Sequence, residues 1–299
     1  MAASKVIVGI CAYNEENNIG NLLQNLSVEQ DLPRDCRILV VCSGCTDKTP
    51  LLVKEFGKRD KRIEAVIERS RKGKANALNS LFKIAKESAD VLVLVNADAV
   101  PERGSITKLL SKLANSEAGA VFAQPVPFKA SGGICDGIVN VIWRLHHVIS
   151  LHQEPKLSAE LCAIRASYLQ EIPDNVATDE PYVQLSIRKQ GYNTLYAPEA
   201  LVHIRGPTNF VDLLKQRRRI LFGHTQLQKA TNFRVSTSSF RNVLRAVPSL
   251  KLNEVLYVFL GAFVEVLAYS QFRSVLSKDD IPHIWEPIES TKIRLCAKS

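Results

Sequence analysis

The sequence predicts an α/β fold, a mostly parallel β-sheet with helices on both faces. Short β-rich runs alternate with helix-period segments through the first half of the 299 residues. Those strands run into polar loops, and 46% hydrophobic against 23% charged residues supplies apolar material for a full-sized core.

Val6 to Cys11 is the first apolar run, with a helix expected from Glu15. Arg37 to Val41 is the second strand, followed by a helix from Thr49, a strand over Arg62 to Glu68, a helix from Lys74 and a strand over Val91 to Val95. In a sheet of such βαβ units ligands sit beyond the carboxyl ends of the strands, so the loops after Cys11, Val41, Glu68 and Val95 should share one crevice. They read AYNEE, CSGCTD, RSRKGK and NADAVPE. Neither GxGxxG nor GxxxxGK[ST] is among them, which excludes the dinucleotide fingerprint and the P-loop.

Beyond Gly119 a strand over Ala120 to Gln124, an amphipathic stretch Ile134 to His152, a strand over Leu161 to Arg165 and a helix from Pro181 to Gln190 are expected. From Asn209 a long helical pattern carries the densest basic cluster, Arg217 to Arg219. The run Val255 to Tyr269 is apolar except for Glu265, shorter than the ~20 residues a bilayer core requires. Extended over Leu252 to Phe272 it is long enough, and the reading stays open among an interfacial, a spanning and a buried bundle helix. Arg234, Arg241, Arg245 and Lys251 just upstream favour contact with an anionic membrane surface. The expected division is a catalytic unit over 1–230 and a C-terminal helical, membrane-associating region over 231–299.

The net charge of +9 calls for an anionic partner. With 7% aromatics and no aromatic-rich recognition run, nucleic acid is not the expected one. The start, Met1 to Lys5 followed by Val6 to Ala12, reads as a first core strand rather than a signal peptide, and the expected location is cytoplasmic. Cys11, Cys36, Cys42, Cys45, Cys135, Cys162 and Cys296 are expected as free thiols. Cys42 and Cys45 form a CxxC without a second pair at metal-ligand spacing, a weak zinc or redox signal.

Asp98, just past the strand Val91 to Val95, suits a divalent cation that neutralises a diphosphate, although a turn or cap aspartate fits equally. Its neighbours give it weight. Ala12 to Glu16, the GSTDGT-like loop Gly44 to Thr49, GKANALN over Gly73 to Asn79, the DxD-like Asn96 to Asp98, the acidic pair Asp179 and Glu180, Gly191 and Tyr192, and the QxxRW-like Gln216 to Ile220 follow in order. In these motifs the chain resembles the family 2 glycosyltransferases of the GT-A fold from about Val6 to Gly223.

The resemblance implies a Rossmann-like GT-A domain that binds a nucleotide-sugar donor, with UDP the expected nucleotide. Ala12, Tyr13, Asn14 and Glu15 would line the base pocket, with Asp47, Lys72 and Lys74 nearby. Asn96, Asp98, Gln216 and Arg219 would face the diphosphate side. Asp98 would hold Mg²⁺ or Mn²⁺, with His203 as a second candidate ligand. Glu180, or Asp179 in its place, would deprotonate an acceptor hydroxyl. The acceptor implied is a glycan or lipid-linked group, such as a polyprenyl phosphate, at the cytoplasmic face of a membrane.

The sequence departs from the motifs at Asn96 for the first acid of DxD, at Cys42 and Ser43 ahead of the GSTD-like loop, and at Ile220 for Trp. These substitutions leave a second reading, a non-catalytic nucleotide-sugar binding or scaffold protein.

Overall fold

The computed structural model describes residues 4–128, 132–276 and 285–292. Cys296 lies outside them, and the six other cysteines are free thiols. The strands are β1 (Val6–Ala12), β2 (Arg37–Ser43), β3 (Ile63–Glu68), β4 (Val91–Val95), β5 (Val100–Pro101), β6 (Ala120–Pro127), β7 (Leu161–Arg165) and β8 (Thr194–Ile204). They form one sheet in the order β3-β2-β1-β4-β7-β6-β8-β5. β1, β2, β3 and β4 pair in parallel, as the βαβ rhythm predicts. β7 runs antiparallel to both β4 and β6, which makes the sheet mixed beyond its centre, while β6 and β8 are parallel.

Strict alternation along the central strands sends side chains to two cores. Val6, Val8 and Ile10 of β1, with Ile38 and Val40 of β2, pack on α1 (Ile19–Gln24), α2 (Thr49–Arg59) and α4 (Ser105–Ala114). Ile7, Leu39, Val41, Leu92 and Leu94 face the other way, onto α3 (Lys74–Ser88). On α3 the residues Ala75, Ala77, Leu78, Leu81, Phe82 and Ala85 repeat at helical spacing and are buried, so the motif GKANALN is also a packing face. The helix expected from Glu15 starts later, at Ile19, because Asn14 adopts a left-handed backbone (φ 53) and the chain turns through 15–18 before coiling.

α5 (Ile134–His152), α6 (Glu180–Lys189), α7 (Phe210–Thr231), α8 (Phe240–Ala246) and α9 (Leu252–Leu276) complete the fold. α9 lies on α5 and α7, with Val264 buried against Ile138, Val139 and Leu213. Glu265, the one acid in its apolar run, ion-pairs with Arg217 of α7. Leu252, Leu256, Phe259, Phe263 and Val266, spaced four and three residues apart, stay exposed on the opposite face. α9 is one helix long and apolar enough to cross a membrane by length and composition among the described residues.

Gly44 closes the end of β2 at φ +62, and a Cβ there would lie 2.3 Å from the Arg71 amide nitrogen, so the loops after β2 and β3 touch backbone to backbone. Gly44→Ala should therefore destabilise the chain by at least about 1 kcal/mol from the left-handed backbone alone, with a further penalty from the contact. The check is a lower urea midpoint at unchanged slope.

Candidate active site

The loops after β1 and β2 are bonded into one wall. The Asn14 amide pairs with Thr46 (Nδ2 to Oγ1 3.0 Å, Thr46 N to Oδ1 2.8 Å), and the Glu15 N–H donates to Thr49 Oγ1 at 2.8 Å. Asp47 accepts from the Glu16 N–H at 3.0 Å and the Thr49 N–H at 2.9 Å, so its carboxylate ties the wall together at the start of α2. The Cys45 thiol contacts the Ala12 carbonyl at 3.4 Å, which places the CxxC behind this wall.

Tyr13 carries the Arg71 guanidinium over its ring, 3.9 Å from the centroid. Arg71 is anchored by donating to the Trp285 carbonyl at 2.6 Å. The segment 285–292 returns from beyond α9 to this end of the sheet: Trp285 packs edge-on against Phe222, Lys215 pairs with Glu286 at 2.9 Å, and Ser290 N–H donates to Asp212. It ends on Lys292, whose ammonium donates to the Asn14 carbonyl at 2.9 Å and pairs with Glu15 at 3.0 Å. Burial and the nearby Asp98 nonetheless hold the Glu15 carboxyl above the usual carboxylate range.

The floor is built where β4 and β7 end. The Lys74 ammonium, on the first turn of α3, lies 3.2 Å from Asn96 Oδ1 and 3.4 Å from Asp179 Oδ2. Burial opposes its charge, but Asp179, Glu180 and Glu160 more than compensate and raise its pKa. Asp179 precedes α6 without capping it, so this carboxylate is not spent on helix amides. Glu180 accepts from the Ala159 N–H at 3.2 Å and faces Lys156 at 3.6 Å. The acidic pair thus diverges, Asp179 toward the donor side and Glu180 toward the residues before β7. Gly223 of α7 lies against Thr178, where a Cβ would meet the hydroxyl at 2.2 Å, so α7 buttresses the pair closely.

Asp98 is half-buried, and desolvation pushes its carboxyl upward against the pull of its own backbone N–H, Lys74, Lys292 and Arg219. Glu160, immediately before β7, is pushed up to about 7 by burial and by the charges of Asp98 and Glu180. A floor of acids held above their ordinary pKa is an unsatisfied negative site, and hard oxygen donors of this kind fit Mg²⁺ or Mn²⁺. No group of three or more His, Cys, Asp and Glu converges to hold a metal among the described residues. The fit therefore requires the diphosphate oxygens of a donor as further ligands.

Arg219 reaches this floor electrostatically, and its buried Nε has no hydrogen-bond partner. Gln216 lies one turn earlier on α7. Arg217, between them, turns instead to Glu265 of α9, so the basic cluster divides between crevice and helix packing. His203 sits opposite Val100 in the sheet, with its ring on Phe128 (5.3 Å) and Nε2 3.9 Å from Glu102, and no ion pair joins it to Asp98. Lys72 is exposed on its loop. Arg71, Lys156, Glu160 and Lys292 were not among the expected site residues; Arg71 lies in the crevice loop RSRKGK and could have been named from it, whereas only the register of β7 and the return of 285–292 bring in the others.

The sheet order and the mixed pairing define a Rossmann-like GT-A fold, with the acidic crevice at the carboxyl ends of its parallel strands. Residues 7–172 match the sequence model of Glycosyl transferase family 2, more than half of the chain, and the protein belongs to that family. Among curated relatives it is 27% identical over 235 residues to "Probable glycosyltransferase YdaM" of Bacillus subtilis (strain 168), covering 72% of this chain and 54% of the relative. It is 22% identical over 264 residues to an N-acetylglucosaminyltransferase of Rhizobium meliloti (strain 1021), covering 82% and 58%. The chain thus spans little more than half the length of these relatives. Among solved structures, the mannosyltransferase PcManGT of Pyrobaculum calidifontis in complex with GDP-Man and Mn²⁺ superposes with a TM-score of 0.63 at 22% identity, over 94% of this chain and 77% of that one. S. aureus TarS 1-349 in complex with UDP-GlcNAc gives 0.51 at 16%, over 93% and 82%. At these identities the likeness is one of fold.

The raised pKa of Glu160 makes a signed prediction. Its folded carboxyl binds a proton more tightly than the unfolded one, so its contribution to stability falls as pH rises from about 4.5 to about 7. Glu160→Gln should gain on wild type across that window, with a slope of at most about 1.4 kcal/mol per pH unit, and should run parallel above it. Urea titrations in EDTA at several pH values check this. The difference between the two proteins removes the opposite trend from buried His146 and His224, whose pKa values burial lowers.

Proposed function

We propose that the protein is a glycosyltransferase that moves a sugar from a nucleoside diphosphate, with UDP as the first nucleotide to test, by a single inverting displacement. The observation that carries this reading is the Lys74 ammonium between Asn96 and Asp179, which joins the donor floor to the acidic pair. Tyr13 and Arg71 offer planar surfaces for a base, and the Asn14 and Glu15 wall flanks it. Lys74 and the orphaned Arg219 Nε supply positive charge for the phosphates. Asp98 would hold the divalent cation, which when bound neutralises charge on the departing diphosphate. Glu180 or Asp179 takes the proton of an acceptor hydroxyl; with an acceptor phosphate, already ionised, the pair positions instead.

The proposed acceptor is membrane-borne, a polyprenyl phosphate or lipid-linked glycan at a cytoplasmic membrane face. Support comes from α9: its paired acid faces α7, its outward stripe is apolar, and Arg241 and Arg245 stand beside the exposed Phe240 and Leu244 of α8. That arrangement favours a helix lying on the surface over one crossing it, with the membrane-facing region confined to α8 and α9, because residues 285–292 return to the crevice and extend the catalytic unit beyond the expected boundary at 230. Asn96 at the first acid position favours the rival reading of binding without turnover.

Nucleoside diphosphate release from a panel of UDP-sugars and GDP-mannose, with Mn²⁺ and with EDTA, decides between them. Turnover should fall roughly a hundredfold or more in Asp98→Ala and in Glu180→Gln if the acceptor is a hydroxyl. Binding without release from every donor would establish the scaffold. Separately, wild type should co-sediment with vesicles containing anionic lipid, and Phe259→Glu/Phe263→Glu should abolish sedimentation while leaving donor hydrolysis in detergent intact. Equal sedimentation of both proteins removes the surface-helix reading.

A further inference from the structure

The first acid of the DxD-like motif is Asn96, and the structure shows what stands opposite it. β4 and β7 pair antiparallel with Val95 across from Leu161, so the next position brings Asn96 across from Glu160, and the Asn96 N–H donates to the Glu160 carbonyl at 3.3 Å. Their side chains meet as well: Asn96 Nδ2 donates to Glu160 Oε2 at 2.8 Å, while Asn96 Oδ1 accepts from Lys74 at 3.2 Å. The amide is held from both sides by a carboxylate and an ammonium, which determines which end is oxygen.

An aspartate at 96 would set two carboxylates at hydrogen-bond distance, and until a cation arrived between them one would be held protonated. A carboxylate at 160 and one at 96 are therefore alternatives, and this chain has the one at 160. Glu160 has no ion-pair partner within 4.0 Å among the described residues: Lys74 pairs with Asp179 and Lys156 with Glu180. Its side chain rests on Asn96, which Lys74 joins to Asp179, so it opens to the same crevice, where Asp98 and Glu180 act on it through space. Its charge is left for something the chain does not itself provide.

We propose that Glu160 supplies, from the adjacent strand, the carboxylate that position 96 lacks. Asp98 and Glu160 together face the cation of the donor complex, and Asn96 bridges Glu160 to Lys74. The motif keeps its charge and changes only the strand that carries it. This rests on the donor-site reading above, and it makes the substitution at 96 a transposition rather than a loss of function.

The test is Mn²⁺ affinity, followed by electron paramagnetic resonance on the full chain with UDP or GDP present. Four proteins are compared: wild type, Asp98→Ala, Glu160→Gln and Asn96→Asp/Glu160→Gln. Glutamine at 160 can still accept the Asn96 hydrogen bond, so a merely structural glutamate would leave Mn²⁺ affinity unchanged. The expected result for Glu160→Gln is a loss of at least about tenfold, with nucleotide affinity in EDTA unchanged. The double variant, which moves the acid back to 96, should recover most of that loss.

If Asp98→Ala abolishes Mn²⁺ binding but Glu160→Gln does not weaken it, Glu160 is overturned and the donor site stands. A double variant no tighter than Glu160→Gln also overturns the transposition. If wild type binds no Mn²⁺ with either nucleotide, or Asp98→Ala binds it as wild type does, the donor-site reading itself fails and takes the proposal with it. Should Glu160→Gln not fold, a crystal of wild type soaked with Mn²⁺ and nucleotide decides: the ion lies within direct or one-water reach of Glu160, or the proposal is wrong.

Discussion

The crevice depends on one positive charge, the Lys74 ammonium, set among more acids than it can neutralise. It stands between Asn96 at the end of β4 and Asp179 at the start of α6, two segments far apart in the chain. Without it the floor would gather Asp98, Glu160, Asp179 and Glu180 with only Lys156 paired to one of them and Lys292 and Arg219 acting from a distance. Such a floor would expand or bind protons. With it, the acids stay close but under-compensated, and the raised carboxyls of Asp98 and Glu160 record the remaining deficit. On the proposed donor-site reading, a cation and a diphosphate arriving together would offset that deficit, which is a physical basis for binding the two as one ligand.

The scaffold that holds this charge is unusually rigid where it must be. β1 to β4 are covered on both faces, and their carboxyl-end loops are cross-bonded through Asn14, Thr46, Asp47 and Thr49. Asp47, which the family resemblance places near the donor, spends both oxygens on that cross-bonding.

The alternation of runs in the first half made the parallel half of the sheet legible, and the positions of Asn96, Asp98, Asp179 and Glu180 followed from motif order. Lys74 could be named as a donor-side residue, but its bridge to Asp179 could not, because it depends on how α6 is set against α3. Glu160 was hidden for a similar reason. It acquires meaning only from the antiparallel register of β7 on β4, and nothing in the local pattern of residues 158–165 distinguishes an antiparallel strand from a parallel one. Lys292 and Trp285 lie 279 and 214 residues from their partners Tyr13 and Arg71, a separation that no periodicity reports. α9 was ambiguous because an acid in an apolar run has three resolutions, and the pairing of that acid with Arg217 depends on how α9 is set against α7, which no local pattern reports.

The return of residues 285–292 to the crevice ties two ends of the molecule mechanically. Residues 285–292 rest on α7 through Lys215 and Asp212 and on the wall beside Tyr13, and α7 in turn holds Glu265 of α9, so the crevice rim and the outward-facing helix share one support. Removing 285–292 would strip an ammonium from Glu15 and release the guanidinium that covers the Tyr13 ring, leaving that end of the crevice more acidic and more open.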